Sequence, residues 1–144
     1  MQNEKQALLE AEATHATEIE RLVTARTAQE VAIQNLNSDG WSVKDLVVHI
    51  AHWLRAGAEA IENDAGEYEG SDEDSERVNA AILERARGMS WQEALDDWAD
   101  ARDRARAAFT SVDPIPEWAI TWFTDEGTDH MADHLVELRE WAAK

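Results

Sequence analysis

Three histidines have the residue type and spacing for metal chemistry: His49, His130 and His134. The last two form an H-x-x-x-H pair in residues 129–141 (DHMADHLVELREW). Residues four apart share one face of a helix, so both imidazoles can reach one point in space. Imidazole is the commonest protein ligand for divalent transition metals. A pair at this spacing needs one more donor from another helix to complete a three-ligand open site. His49, in residues 41–53 (WSVKDLVVHIAHW), is the candidate for that donor.

The elements that must position these residues are helical. Ala and Leu are plentiful, while Gly occurs six times and Pro twice, a composition that favours helix. The apolar period predicts a first helix over residues 3–36, ending at the turn formers 37–40 (NSDG). A second helix begins after Trp41, with Ser42 as N-cap and Asp45 as the partner of a capping box. Residues 62–76 (ENDAGEYEGSDEDSE) hold two glycines and eight acidic residues and read as a long, acidic, mostly solvated connection. Paired carboxylates there could suggest calcium, but the EF-hand order of ligands is missing. A third helix runs from about 74 to 109, interrupted at 88–90. Ser90 with Glu93 then restarts it through a second capping box. Residues 111–116 (SVDPIP) break the chain, 117–123 (EWAITWF) form a helical turn or a packing loop, and a fourth helix spans about 125–143. Four helices with short connections imply an all-α, antiparallel four-helix bundle, a single domain over 1–144.

At about 100° per residue, the apolar stripe of the second helix centres on Val43, Leu46, Ile50 and Ile61. His49 lies on one flank of that stripe. His52 lies nearly opposite, with Asp45 and Val48, and is the residue expected to meet solvent or a partner. In the fourth helix the stripe is Met131, Leu135, Leu138 and Ala142, with His130 and His134 together on one flank near Trp141. Bundles build metal sites from such flanks. The plain reading of any one histidine beside an apolar stripe is packing, and His15 near the seam of the first helix is read that way.

Composition narrows the function classes. The chain has 144 residues, 44% of them hydrophobic, enough for a core. Its formal net charge of −18 repels phosphate backbones and anionic membrane surfaces, so neither nucleic acid nor membrane is an expected partner. No apolar run approaches the roughly 18 residues of a membrane span, and the N-terminus does not look like a signal peptide. With no cysteine there is no disulfide framework and no thiolate nucleophile, and the expected compartment is the cytoplasm.

These same residues carry a family likeness. Residues 41–50 (WSVKDLVVHI) resemble the W-[ST]-x-[KR]-[DE]-L-[LV]-x-H-[LI] start of helix two in the DinB-like superfamily of four-helix bundles. Residues 130–138 (HMADHLVEL) are similar to that group's H-Y-x-E-H-x-x-E-L signature, and 79–91 (NAAILERARGMSW) to the third-helix segment of its ClbS-like members. The resemblance implies a divalent metal, zinc or nickel, held by His49, His130 and His134. Met131 stands where an aromatic is usual. The mycothiol-dependent maleylpyruvate isomerase branch usually has Glu where this chain has His130, which points toward the DinB/ClbS-like branch.

Three imidazoles would leave coordination positions open, and such a metal can lower the pKa of bound water to about 7 or hold a thiolate. The resemblance therefore implies a hydrolase or a thiol-dependent transferase acting on a small electrophilic or toxic molecule, with a low-molecular-weight thiol as a second cofactor. Stress or detoxification would be its setting. Glu126, Asp129, Asp133 and Glu137 are the nearby carboxylates that could orient a ligand imidazole. Two other readings stand beside this one: a protein that sequesters a small molecule without turnover, and a structural bundle whose histidines hold nothing. Tryptophans on exposed sides and the family habit both suggest a homodimer.

Overall fold

The computed structural model describes residues 2–144, and among these there are helices and no strand. In chain order they are α1 (Gln2–Thr24), α2 (Ala28–Val31), α3 (Val43–Glu62), α4 (Asp72–Arg87), α5 (Trp91–Ser111) and α6 (Glu117–Phe123). A π-helical segment (Thr124–Asp129) then leads without a break into α7 (His130–Ala142).

Capping boxes set most of the starts. Ser42 Oγ accepts from the Asp45 amide at 3.0 Å, and the Ser42 amide donates to Asp45 Oδ2 at 2.9 Å, as expected. The Ser90–Glu93 box opens α5 in the same way. Two further boxes, Thr27–Glu30 and Ser71–Asp74, were not read from the sequence. The first of them ends the expected helix over 3–36 early. The chain leaves α1 at Thr24 and restarts at Ala28 for one turn, which leaves Ile33 53% exposed. The second starts α4 at Asp72 and leaves 63–71 as a largely exposed connection.

The main core is shared by α1, α3, α5, α6 and α7, with Ile19, Leu46, Ile50, Phe109, Met131 and Leu135 all almost fully buried. Helix α3 is buried on two sides. Its opposite face joins a second cluster in which Val48 and Trp53 meet Ile82 and Ala86 of α4 and Ala94 of α5. That face is closed around His52: Asp45 and Val48 beside it are 1% and 0% exposed, and His52, expected to meet solvent or a partner, is half-buried. Helix α4 covers Val48, pinned by Trp53 Nε1 donating to Asn79 Oδ1 at 2.9 Å. The expectation of exposed tryptophans fails likewise: Trp53, Trp98, Trp122 and Trp141 are buried, and Trp41, Trp91 and Trp118 half-buried.

The π segment has a physical cause in the spacing of the core residues. Ala119, Phe123, Gly127, Met131 and Leu135 are all buried, one every four residues. A straight α-helix of 3.6 residues per turn would rotate such a series by about 40° per step, and by about 160° from Ala119 to Leu135. The wider i→i+5 turn takes up part of this drift. Gly127, inside it, lies against Glu12 and Leu54.

Glu12 of α1 is 0% exposed. Its carboxylate accepts from Arg102 Nε and Nη2 at 2.7 Å each and from Arg106 Nη1 at 2.7 Å. Arg102 also reaches Glu20, which takes a hydrogen bond from Trp98 Nε1. Removing one member of a buried ion pair strands its partners and costs about 3–5 kcal/mol. Since the two arginines are partly exposed and can turn outward, Glu12→Ala is expected to lower stability by about 2–4 kcal/mol in urea unfolding. Arg104→Ala, which breaks only exposed pairs to Glu59 and Glu62, should cost much less. Equal losses would show that Glu12 contributes no more than a surface ion pair.

Candidate metal centre

His49 sits in the second turn of α3, just beyond the Ser42–Asp45 cap, and the edge of Trp41 packs on its ring with centroids 4.8 Å apart. His130 is the first residue of α7, delivered by the π segment, and His134 follows one turn later. One ring nitrogen from each of the three lies within 4.8 Å of the other two. Sequence reasoning selected these three, and the fold brings them together. It does not bring in His15, whose Nδ1–H donates to Ala11 O at 2.9 Å, or His52, whose ring packs on Trp53.

The nitrogen positions suit a cation. His49 Nε2 faces His130 Nε2 at 3.0 Å, and the Nδ1 atoms of both rings are buried without a hydrogen-bond partner. With protons on both Nδ1 atoms, two lone pairs point at each other. A tetrahedral ion with metal–nitrogen bonds of about 2.0–2.1 Å would separate two ligand nitrogens by about 3.3 Å. His134 Nδ1–H donates to Glu137 Oε1 at 2.6 Å, which leaves Nε2 with its lone pair free. That is the usual carboxylate partner of a ligating imidazole. Of the four carboxylates considered from sequence, Glu137 fills this role. Glu126 Oε2 stands 3.9 Å from His130 Nδ1, beyond hydrogen-bond distance.

Burial controls protonation here. It pushes His49 down to about 3, helped by His130 and His134, and His130 down to about 4, helped by His134. Both rings are neutral at neutral pH, the form that binds metal. Burial, and then the neighbouring Asp125, raise Glu126 to about 7.

Beside the histidines lies a cavity of about 440 Å³ whose walls include His49, His130, Trp53, Tyr68, Asn79 and Asp125. Tyr68 comes from the 63–71 connection, and its hydroxyl lies 3.0 Å from Ser75 Oγ. A separate cavity of about 400 Å³ around Pro114 and Trp118 contains no histidine. Sequence reasoning missed Tyr68 and Asn79 as wall residues. Nothing in their local pattern marks them, because the connection and α4 reach the site only through tertiary packing.

No helix among the described residues is long and apolar enough to cross a membrane. The family model described as the mycothiol maleylpyruvate isomerase N-terminal domain matches residues 12–143, a span that includes all three histidines. No curated protein and no solved structure matches the chain. The expected DinB-like superfamily holds. The matching model is that of the mycothiol-related branch, although His130 stands where that branch usually has Glu. The chain belongs to the mycothiol maleylpyruvate isomerase N-terminal domain family.

Proposed function

We propose that this chain is a divalent-metal-dependent enzyme that acts on a small electrophilic or toxic molecule. His49, His130 and His134 hold zinc or nickel in this reading, and the reaction is a thiol-dependent transfer or isomerisation, with hydrolysis as its simpler variant. The observation that carries it is the convergence of three imidazole nitrogens within 4.8 Å beside a cavity. The family supplies the thiol: its description names mycothiol. The finer architecture in this reading is an antiparallel four-helix bundle of α1, α3, α5 and α7, and the compartment is the cytoplasm.

A divalent ion at this position supplies Lewis acidity and stabilises a thiolate or hydroxide at neutral pH. The protein's own groups do the rest. Glu137 fixes the His134 ring so that Nε2 faces inward. Trp41 closes one side of His49. Glu126, half-buried in the cavity wall, is the proton-accepting group in this reading. A cation at the histidines would draw Glu126 toward its ionised form, opposing the effect of burial.

Three measurements test the reading. Elemental analysis of the purified full chain should find about one zinc or nickel per chain. The metal should be lost in His49→Ala and in His134→Ala, and bound about 10–100-fold more weakly in Glu137→Gln; unchanged metal content in the histidine variants would sink the reading. The second concerns pH. An unfolded imidazole takes up a proton below its ordinary 6.5, whereas folded His49 and His130 do so only near 3 and 4. Between those limits the unfolded chain binds more protons, so stability falls as pH falls. The Tm of metal-free protein should therefore drop between pH 7 and 4.5, and drop less in a His49→Gln/His130→Gln double variant. Equal drops would mean that the rings are not held neutral by burial. Third, the reading includes a homodimer, carried by family habit alone now that no tryptophan is exposed. Light scattering that returns the 16.2 kDa monomer mass would reject it.

A further inference from the structure

The wall chemistry of the cavity selects the charge of what enters. Asp72, Asp125, Glu126 and Asp133 line the cavity beside the histidines, and no Lys or Arg does. A second cavity of about 220 Å³ adjoins it, shares Tyr68, Asp125 and Glu126, and adds Glu67 and Trp122, again with no Lys or Arg. Tyr68 stands between the two. Its ring is perpendicular to Trp53 on one side and to Trp122 on the other, at 5.7 and 5.8 Å between centroids. Two of these rings are held in place: Trp53 Nε1 donates to Asn79 and Trp122 Nε1 to Gly66 O. At the other end lie His49 and His130.

Aromatic faces and carboxylates around one hollow recognise a cation. The negative ring faces attract it, and they favour alkylated ammonium groups whose weak hydration makes them cheap to desolvate. Carboxylates at the rim of a cleft with low-dielectric walls raise the local concentration of cations and repel anions. We infer that the molecule acted on carries a small organic cation, an ammonium head seated in the Trp53–Tyr68 corner against Asp72 and Asp125, with its reactive end toward the histidines. A dicarboxylate of the maleylpyruvate kind finds no arginine or lysine partner in either cavity. The inference rests on the reading that this cavity is the reaction site, but its test does not need the metal.

The probes are three molecules of one shape and different charge: choline, its neutral isostere 3,3-dimethylbutanol, and the anion 3,3-dimethylbutanoate. A quaternary nitrogen has no lone pair, so choline's head cannot bind by ligating metal. Binding to the full chain, followed by NMR of the tryptophan indole N–H signals, should rank choline about tenfold tighter than the neutral isostere, with the anion weakest. Tyr68→Leu and Asp125→Asn, both at exposed positions, should each weaken choline at least threefold and leave metal content unchanged. Glu140→Gln, an exposed carboxylate outside the cavity walls, should leave choline binding unchanged. Equal binding of choline and its isostere would overturn the inference, as would tighter binding of the anion. So would an equal effect of Glu140→Gln and Asp125→Asn, since that is general attraction to a negative protein. Loss of metal binding with the choline preference intact would count against the metal reading alone.

Discussion

The buried carboxylate of Glu12 is the constraint on which the arrangement of helices turns. Helix α1 packs mainly on α7 and the π segment, and α3 mainly on α5 and α4. Glu12 binds α1 to α5 through Arg102 and Arg106, and the Glu20–Arg102–Trp98 contacts extend the join by two turns. A carboxylate with no exposure is tolerable only when charge-assisted hydrogen bonds replace the water it has lost. Three of them do so, which fixes the rotation of α1 and the side-to-side register of α5 together. Apolar burial alone would let either helix slide. The Glu12 side chain also lies against Gly127, so this polar join sits directly behind the π turn that delivers His130.

Much of this was legible in the sequence, for reasons that are local. The caps at Ser42 and Ser90, the stripe of α3 and the stripe of α7 depend on residues three to seven apart, and such patterns survive tertiary packing. What failed depended on a second neighbour. The face of α3 that carries His52 reads as surface, yet α4 covers Val48 on it. The Thr27-x-x-Glu30 box was present in the sequence but lies inside a continuous helical period, and the cap overrode that period. Glu12 also left a trace: it shares the α1 face of Ala16 and Ile19, where an acid is out of place unless a cation faces it, and the arginines of α5 supply that cation. Which arginine would arrive could not be read without the packing of α1 against α5.

The site divides along the same line. His130 and His134 were readable because four residues on a helix fix their relation, and His49 because its flank of the stripe separates it from His52. Their carboxylate partner, Glu137, is also local to α7. The cavity walls are not. Tyr68 comes from a stretch whose eight acidic residues read as solvated linker. Only the folded chain lays it along the cavity, where Gly66 O holds the Trp122 indole and Ser75 meets the Tyr68 hydroxyl. A Cβ on Gly70 would fall on the Tyr68 ring, so a small residue there is part of how Tyr68 is seated. The acidic stretch is thus both a solvated connection and one wall of the site.

That double role separates two decisions the site must make. In the proposed reading the histidines hold the metal, and three neutral imidazoles can serve many chemistries on one fold. The walls decide what can approach. A divalent ion at the histidines would contribute two positive charges, yet four carboxylates line the same cavity. Beyond the first few ångströms the field is therefore set by the protein and not by the metal. An anionic reactant would be attracted only at contact and repelled on the way in, whereas a cationic one would be drawn to the rim and kept from the metal by like charge, leaving its neutral end to face the histidines. The same negative walls that guide one class of reactant inward also orient it.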